Sequence, residues 1–319
     1  MSWLDEQLRD NGITRTGEVT EARVRPWGTV LRADTTLGPV WLKAPGPDTV
    51  FEVELYRLLH EAAPDHVLPP LGVDVGRGWV LLPDGGTSLG ERLADAELID
   101  ALAGVLPQYG RFQRDLAQHA ERMLSLGVTD MRASVMPQRF DEAVEATGKW
   151  IARFGDAEDR EAHRQVVAKR DTFVSWCERL GAAVAPPSLD HNDLHPWNIL
   201  VDGAGRVRFY DWGDGVLAHP FASMLVGVGF LRYSRNAAAD DPDVLRLRDA
   251  YLEAWTDLAP RAELVEELDL ACWVAVAARA LTWERAMRSA DADAPVEFTK
   301  APWESLRALL AESWMACCS

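Results

Sequence analysis

His191, Asp193, Asn198 and Asp211 stand as His-x-Asp-x-x-x-x-Asn followed, 13 residues after Asn198, by Asp211-Trp212-Gly213. Two carboxylates and an amide oxygen in that order could serve phosphoryl transfer from a nucleoside triphosphate. That chemistry asks few groups of a protein. One carboxylate accepts or orients the acceptor's hydroxyl proton, and an amide oxygen with a second carboxylate holds Mg²⁺ on the phosphates. If each of the fixed types occurs by chance about one time in 20, the whole constellation is rare. The plainer alternative is a polar loop with a capping Asp beside a core hairpin. The flanking sequence favours the chemistry. Ile199-Leu200-Val201 and Val207-Arg208-Phe209-Tyr210 read as two short strands around the Gly-containing turn Asp202-Gly203-Ala204-Gly205. Such a hairpin would put Asn198 and Asp211 at neighbouring strand ends, close enough to share a cation.

The stretches His191 to Val201 and Val207 to Asp214 resemble the aminoglycoside phosphotransferase family, the small-molecule branch of the protein-kinase-like superfamily. The usual form there is close to His-Gly-Asp-x-His-x-x-Asn-[Ile/Val]-[Leu/Val], then [Ile/Val]-Asp-[Trp/Phe]-[Gly/Glu]. Asn192 stands where Gly is usual, and Tyr210 replaces a common Ile. The resemblance implies that Asp193 is the catalytic base and that Asn198 and Asp211 are Mg²⁺ ligands. His191 and His195 belong to the motif as supporting residues, His195 bracing the loop. His219-Pro220-Phe221-Ala222-Ser223-Met224-Leu225 follows where the family often has Gly-Asp-Pro-x-x-Asp-Leu-Ala, and the Asp that would form a second anchor is absent.

The elements that must position these groups can be read along the chain. Residues 1 to about 85 read as short strands with one helix. Strand character lies at Glu18 to Val24, Thr29 to Ala33, Val40 to Lys43, Val67 to Val73 and Trp79 to Leu82. Val50 to Ala62 has amphipathic helical spacing. Lys43, near the end of the third strand, is placed to pair with nucleotide phosphates, with a carboxylate to fix it. Glu52 is the chosen partner, because the family has a Glu three residues before a Leu-Tyr pair, here Leu55-Tyr56; Glu54 is the fallback. Pro26-Trp27-Gly28-Thr29-Val30 connects the first two strands, where a phosphate-covering loop would lie, but lacks Gly-x-Gly-x-x-Gly; Gly28 is carried as its nucleotide-binding candidate, and an ordinary turn would look the same. Gly-x-x-x-x-Gly-Lys-[Ser/Thr] is missing as well, which excludes a P-loop enzyme. Pro83-Asp84-Gly85-Gly86 is the linker candidate, and the resemblance makes it a hinge where backbone groups, with Leu82 beside them, meet the nucleotide base. The expected division is therefore residues 1–84 as a β-rich nucleotide-binding lobe and 85–319 as a mostly helical lobe holding the catalytic loop and acceptor site. The fold class is α+β, bilobal and protein-kinase-like.

Beyond the linker, helical periodicity covers Leu98 to Leu126 with a kink or break at Pro107, Pro137 to Phe154 and Asp156 to Leu180. It resumes over Pro220 to Tyr233, Pro242 to Leu258, Arg261 to Ser289 and Pro302 to Ala316. The chain has 13 tryptophans, and helix-spaced Trp residues are usually core. Trp273, Trp283, Glu284 and Arg285 nevertheless lie on a late helix, in the region that lines the acceptor site in the resembling family. They are carried as acceptor-site candidates, as is His219, for which capping or packing is the plainer reading. Asp214 reads as an exposed loop residue with an outside role near metal or water.

Composition sets the bounds. With 319 residues and 48% hydrophobic content the chain can bury a large core. A net charge of −17 argues against nucleic acid and against an anionic membrane surface as partners. It is compatible with a cationic small-molecule acceptor, although a solvated acidic surface is the ordinary reading. Cys177 and Cys272 read as inert core thiols, and Cys317 with Cys318 is too isolated for a metal site. The N-terminus lacks the pattern of a signal peptide, and the apolar run Phe221 to Leu231 is too short to span a bilayer; a cytoplasmic protein is expected.

These readings lead to a Mg²⁺-dependent kinase that transfers the γ-phosphoryl group of ATP or GTP to a hydroxyl of an antibiotic, sugar, amino sugar or similar metabolite. The segment between Asp211 and Pro220 is too short for a protein-kinase activation segment. Two alternatives stay open: a nucleotide-binding pseudokinase acting as a sensor, and nucleotidyl transfer on the same fold.

Overall fold

The computed structural model describes residues 2–288 and 296–315. The chain divides into two compact units. The first comprises Met1–Arg92, Trp197–Gly213 and Ala286–Ala294; the second comprises Leu93–Pro196, Asp214–Arg285 and Pro295–Ser319. The expected boundary at residue 84 falls inside the first unit, which runs on to Arg92 and takes back the hairpin that follows Pro196.

The first unit is built on an antiparallel sheet of five strands in the order β1-β2-β3-β5-β4, with β1 at Arg15–Arg25, β2 at Gly28–Thr35, β3 at Gly38–Pro45, β4 at Gly72–Asp74 and β5 at Trp79–Pro83. Alternation along β3 sends Val40 and Leu42 to one face of the sheet. There they pack with Leu4, Leu8, Ile13, Ala33 and Leu81. Leu4 and Leu8 come from a helix, Trp3–Asp10, that the sequence reading did not anticipate; Ser2 caps it by accepting from the Asp5 amide at 3.4 Å. Lys43 alternates to the other face, where the helix Phe51–Ala62 lies. The strand expected over Val67 to Val73 shrinks to Gly72–Asp74. Pro69 and Pro70 have no amide hydrogen to give a ladder.

A second, three-stranded sheet in this unit has the order β10-β9-β6, with β6 at Thr87–Ser88, β9 at Ile199–Val201 and β10 at Val207–Phe209. The expected hairpin is therefore present, with Ile199 paired to Phe209 and Val201 to Val207. Asp202 closes its turn, Oδ1 accepting from the amides of Ala204 at 2.9 Å and Arg206 at 3.0 Å.

The second unit is mainly helical around a small sheet of order β7-β11-β8, with β7 at Thr129–Asp130, β8 at Ser188–Asp190 and β11 at Val216–Ala218. Of the kink or break expected at Pro107, no break occurs. The helix runs unbroken from Asp95 to Leu116 and ends in a 3₁₀ turn at Ala117–His119. A mid-helix proline forfeits one hydrogen bond and costs about 3 kcal/mol; the buried face of Leu98, Leu102, Val105, Leu106, Tyr109, Phe112 and Leu116 offsets that loss. Asp156 to Leu180 is two helices, Ala157–Ala168 and Arg170–Gly181, the first opened by a capping box of Asp156 and Asp159. Pro220 to Tyr233 breaks into a 3₁₀ turn and two short helices. The last described helix is Val296–Arg307, with Pro302 inside it rather than at its start. The helix Arg261–Met287 is continuous. Ser289, Ala316, Cys317 and Cys318 lie outside the described residues. Trp255 and Trp303 are fully buried, Trp303 donating to Asp159 at 2.8 Å, so much of the tryptophan content is core. Cys177 and Cys272 are buried thiols in no disulfide, and Cys272 Sγ donates to the Phe221 carbonyl at 3.6 Å. Among the described residues no helix is long and apolar enough to cross a membrane.

Candidate active site

In the first unit, Lys43 Nζ lies 2.6 Å from Glu52 Oε1 and also contacts Asp211 Oδ1. Glu52, in the first turn of its helix, is completely buried, whereas Glu54 turns to Arg57 at 2.8 Å. Glu52 is thus the carboxylate brought to Lys43. Burial alone would strip the charge from Lys43; the Asp211 and Glu52 carboxylates reverse that and hold it protonated. Burial pushes the Glu52 carboxyl upward, against the pull of Lys43. Glu52 Oε1 further accepts from the Trp212 amide at 3.0 Å, which ties the helix to the segment after β10. A Cβ at Gly213 would sit 3.2 Å from Glu52 Oε2, which accounts for the glycine after Trp212.

Asp211 is held in a left-handed backbone conformation, φ 66°. Aspartate is among the few non-glycine residues that enter this region. Its amide donates to Tyr56 Oη at 3.1 Å, and its Oδ2 meets Arg23 at 3.3 Å. Tyr210 N donates to the Asn198 carbonyl at 3.3 Å, so Asn198 and the residue before Asp211 stand at adjoining ends of the hairpin. Asn198 is buried and Asp211 about a quarter exposed. One amide and one carboxylate oxygen fit Mg²⁺, which keeps most of its shell as water and phosphate oxygen and takes only one or two protein carboxylates. No cluster of three or more His, Cys, Asp or Glu that could hold a metal occurs among the described residues. Gly28 begins β2 opposite Pro45, where a Cβ would come within 3.0 Å of the Ala44 carbonyl oxygen, so close strand approach explains it. Leu82 is a buried β5 residue paired with Trp41.

In the second unit, Asp193 Oδ1 is 2.9 Å from Arg279 Nη2, and Asp193 Oδ2 is 3.3 Å from His195 Nε2. Arg279 Nη1 also donates to the Asn192 carbonyl at 2.6 Å and meets Asp214 at 3.3 Å, and its guanidinium lies over the Trp283 ring, 5.1 Å from the centroid. Burial would raise the Asp193 carboxyl; Arg279, with His195 and His191, outweighs it and holds the group well below the usual carboxylate range. Asp193 is therefore ionised, as a proton acceptor must be. His195 sits beside the loop it was expected to brace. Asn192, where glycine is usual in the resembling family, adopts φ 60°. Asparagine is one of the few residues that tolerates this region, so the substitution keeps the backbone path.

His219 faces inward rather than toward an acceptor. Its Nδ1 accepts from the Phe221 amide at 3.3 Å and its Nε2 lies 2.8 Å from Glu267. Nδ1 as acceptor leaves the proton on Nε2, a neutral ring against a carboxylate, and burial lowers its basicity in the same sense. Trp273 stacks on Trp176 at 5.5 Å, and Trp283 on Phe298 at 6.2 Å. Arg285 is buried and donates to Thr129 at 2.9 Å; Glu284 is half-buried. Among the acceptor candidates, Trp283 is tied to Asp193 through Arg279. The sequence reading missed Arg279, although a single charge inside the apolar run Ala271 to Leu281 was a signal that it must have a partner. It also missed Tyr56 and Arg23, whose roles depend on contacts with Asp211 and have no local signature.

The chain belongs to the phosphotransferase enzyme family, whose model matches residues 29–268. A 3-deoxy-D-manno-octulosonic acid kinase of Stenotrophomonas maltophilia is 34% identical over 102 residues, 30% of this chain and 41% of the relative. The match thus spans about two fifths of that relative's length. An ethanolamine kinase of Plasmodium vivax has a TM-score of 0.64 at 11% identity, covering 97% of this chain and 88% of its own. A spectinomycin phosphotransferase solved with ADP and spectinomycin has a TM-score of 0.54 at 14% identity, covering 99% of this chain and 96% of its own. At these identities the likeness of the solved structures is one of fold, and that fold is protein-kinase-like.

Proposed function

We propose that this phosphotransferase is a Mg²⁺-dependent small-molecule kinase that moves the γ-phosphoryl group of ATP or GTP to a hydroxyl. The observation that carries the reading is the Lys43–Glu52 pair set against Asp211, on the hairpin that also presents Asn198. Lys43 holds the donor's phosphates, and Glu52 fixes Lys43. Leu82 and the backbone that follows it meet the base. Asn198 and Asp211 hold Mg²⁺, which when bound offsets charge on the bridging and transferring oxygens. Asp193, kept ionised by Arg279, accepts the hydroxyl proton as the oxygen attacks phosphorus. His191 and His195 support the loop. A nucleoside triphosphate donor fits a cytoplasmic enzyme.

The net charge of −17 is compatible with a cationic acceptor, whereas Arg279 beside Asp193 favours a neutral or anionic group next to the reacting hydroxyl. An acidic or neutral sugar satisfies the second condition, in line with the acid named for the 34% identical relative. Calorimetry tests the donor half. Mg·ATP or Mg·GTP should bind wild type and lose about tenfold or more of its affinity in Asp211→Asn and Lys43→Ala, one charge-assisted contact being removed in each. Equal nucleotide affinity with and without Mg²⁺, unchanged in both variants, would overturn the assignment.

A further inference from the structure

The amides of His191 and Asn192 lead directly into Asp193, and both are buried, so each needs an acceptor. Where the resembling family has Asp in Gly-Asp-Pro-x-x-Asp, this chain, with Pro220 on the motif's Pro, has Ser223. Ser223 Oγ takes the first of these amides, and the second turns to a carboxylate. His191 N donates to Ser223 Oγ at 3.3 Å and to Tyr109 Oη at 3.2 Å. Asn192 N donates instead to Asp190 Oδ1 at 2.8 Å, and the Asn192 side-chain amide to Asp190 Oδ2 at 3.4 Å. Ser223 Oγ closes the set by donating to Asp190 Oδ1 at 2.7 Å. Asp190 and Ser223 are both wholly buried.

We infer that the carboxylate anchoring the Asp193 loop has moved in this chain from position 223 to position 190, where Asp190, with Ser223, holds Asn192 in its left-handed conformation and so positions Asp193. Around it stand Tyr109 and Gln113 from the helix Asp95–Leu116 and Tyr251 from the helix Pro242–Leu252. Tyr109 bonds Ser223 at 2.8 Å, Gln113 bonds Ser223 at 3.2 Å, and Tyr251 bonds Gln113 at 2.6 Å. His191 adjoins it in sequence, and Arg279 acts on it through space. Burial, against the donors Ser223 and Asn192 and the charge of Arg279, pushes the Asp190 carboxyl up to about 6. As a positioning residue it must be ionised to accept both donors. The acid limb of turnover should therefore report Asp190, because Asp193 ionises far lower.

This rests on Asp193 being the base, and the experiment separates the two ideas. γ-Phosphate release from Mg·ATP without acceptor is followed against pH in wild type, Asp193→Ala, Asp190→Asn, Asp190→Ser and the exchanged pair Asp190→Ser with Ser223→Asp. Amide hydrogen exchange at residues 191 and 192 is measured alongside. Asp190→Asn should lower turnover about tenfold to a hundredfold, the scale of a misplacement near 1 Å, with KM for Mg·ATP little changed. The limb near pH 6 should vanish, and exchange at residue 192 should speed up. The exchanged pair should recover turnover and protection, even if Asp190→Asn fails to fold. An exchanged pair no better than Asp190→Ser alone, or a limb that persists in a folded Asp190→Asn, overturns the relocation. Undiminished turnover in Asp193→Ala overturns the function itself instead.

Discussion

Lys43 serves two carboxylates with one ammonium, and one of those carboxylates, Glu52, has no solvent contact. Breaking a buried pair from one side leaves a charge with no counter-ion, at a cost of about 3 to 5 kcal/mol. Lys43→Met should lose that much in urea unfolding, and Lys43→Met with Glu52→Leu should recover a large part of it. Equal stability of the single and double variants would mean that the pair does not govern this site. Asp190 gives a second residue-scale expectation, and its sign is opposite to that of an ordinary carboxylate. Its folded value, about 6, lies above the ordinary 3.8, so its contribution is fully present below pH 3.8 and is lost as pH rises through 6. Relative to Asp190→Asn, wild type should lose up to about 3 kcal/mol between pH 4 and pH 7. A difference that is flat across this range would show Asp190 to be an ordinary carboxylate. At this scale the sequence was legible where a motif fixes residue types. Asp193, Asn198, Asp211, Lys43 and Glu52 could be picked out before any geometry. Arg279 and Asp190 could not, because their meaning lies in contacts 86 and 33 residues away along the chain.

The hairpin of β9 and β10 is the element that presents Asn198 and Asp211, and β6 fixes its edge. Gly86 lies just before β6 at φ 90°, where a Cβ would fall 2.6 Å from the Val201 carbonyl oxygen. A backbone atom cannot swing aside as a side-chain tip can. Gly86→Ala should therefore cost about 1 to 3 kcal/mol and weaken Mg·ATP binding, as read by thermal unfolding and calorimetry. A variant with normal stability and affinity would disconnect β6 from the site. The hairpin was legible because its alternating apolar residues and its turn chemistry agree with each other. The early helix Trp3–Asp10 was not, being short and recognisable mainly from what Leu4 and Leu8 bury against. Pro107 misled for a related reason: local chemistry marks a break there, and the apolar face of the helix outweighs it.

At the scale of the molecule, the residues proposed for the chemistry fall in both compact units: Lys43, Glu52, Asn198 and Asp211 in the first, Asp193 and Arg279 in the second. Ligand binding stabilises the structure that holds the ligand, by about 2.7 kcal/mol at a hundred times Kd. Mg·ATP should then slow amide exchange most around β3, the helix Phe51–Ala62 and the β9–β10 hairpin. Protection confined to the helices of the second unit would place the nucleotide elsewhere. The kinase-like class was legible from the motifs alone, because phosphoryl transfer needs few groups in a fixed order. The acceptor was not legible, because the motifs fix the phosphoryl-transfer groups and none of the groups that would touch the acceptor. The most direct measurement is the mass of candidate hydroxyl acceptors after incubation with wild type or Asp193→Ala and Mg·ATP or Mg·GTP, across acidic and neutral sugars, amino sugars and antibiotics. One acceptor should gain a single phosphoryl group, about 80 Da, with wild type and not with Asp193→Ala. A product carrying a nucleotidyl group, or phosphorylation that survives in Asp193→Ala, would contradict the account.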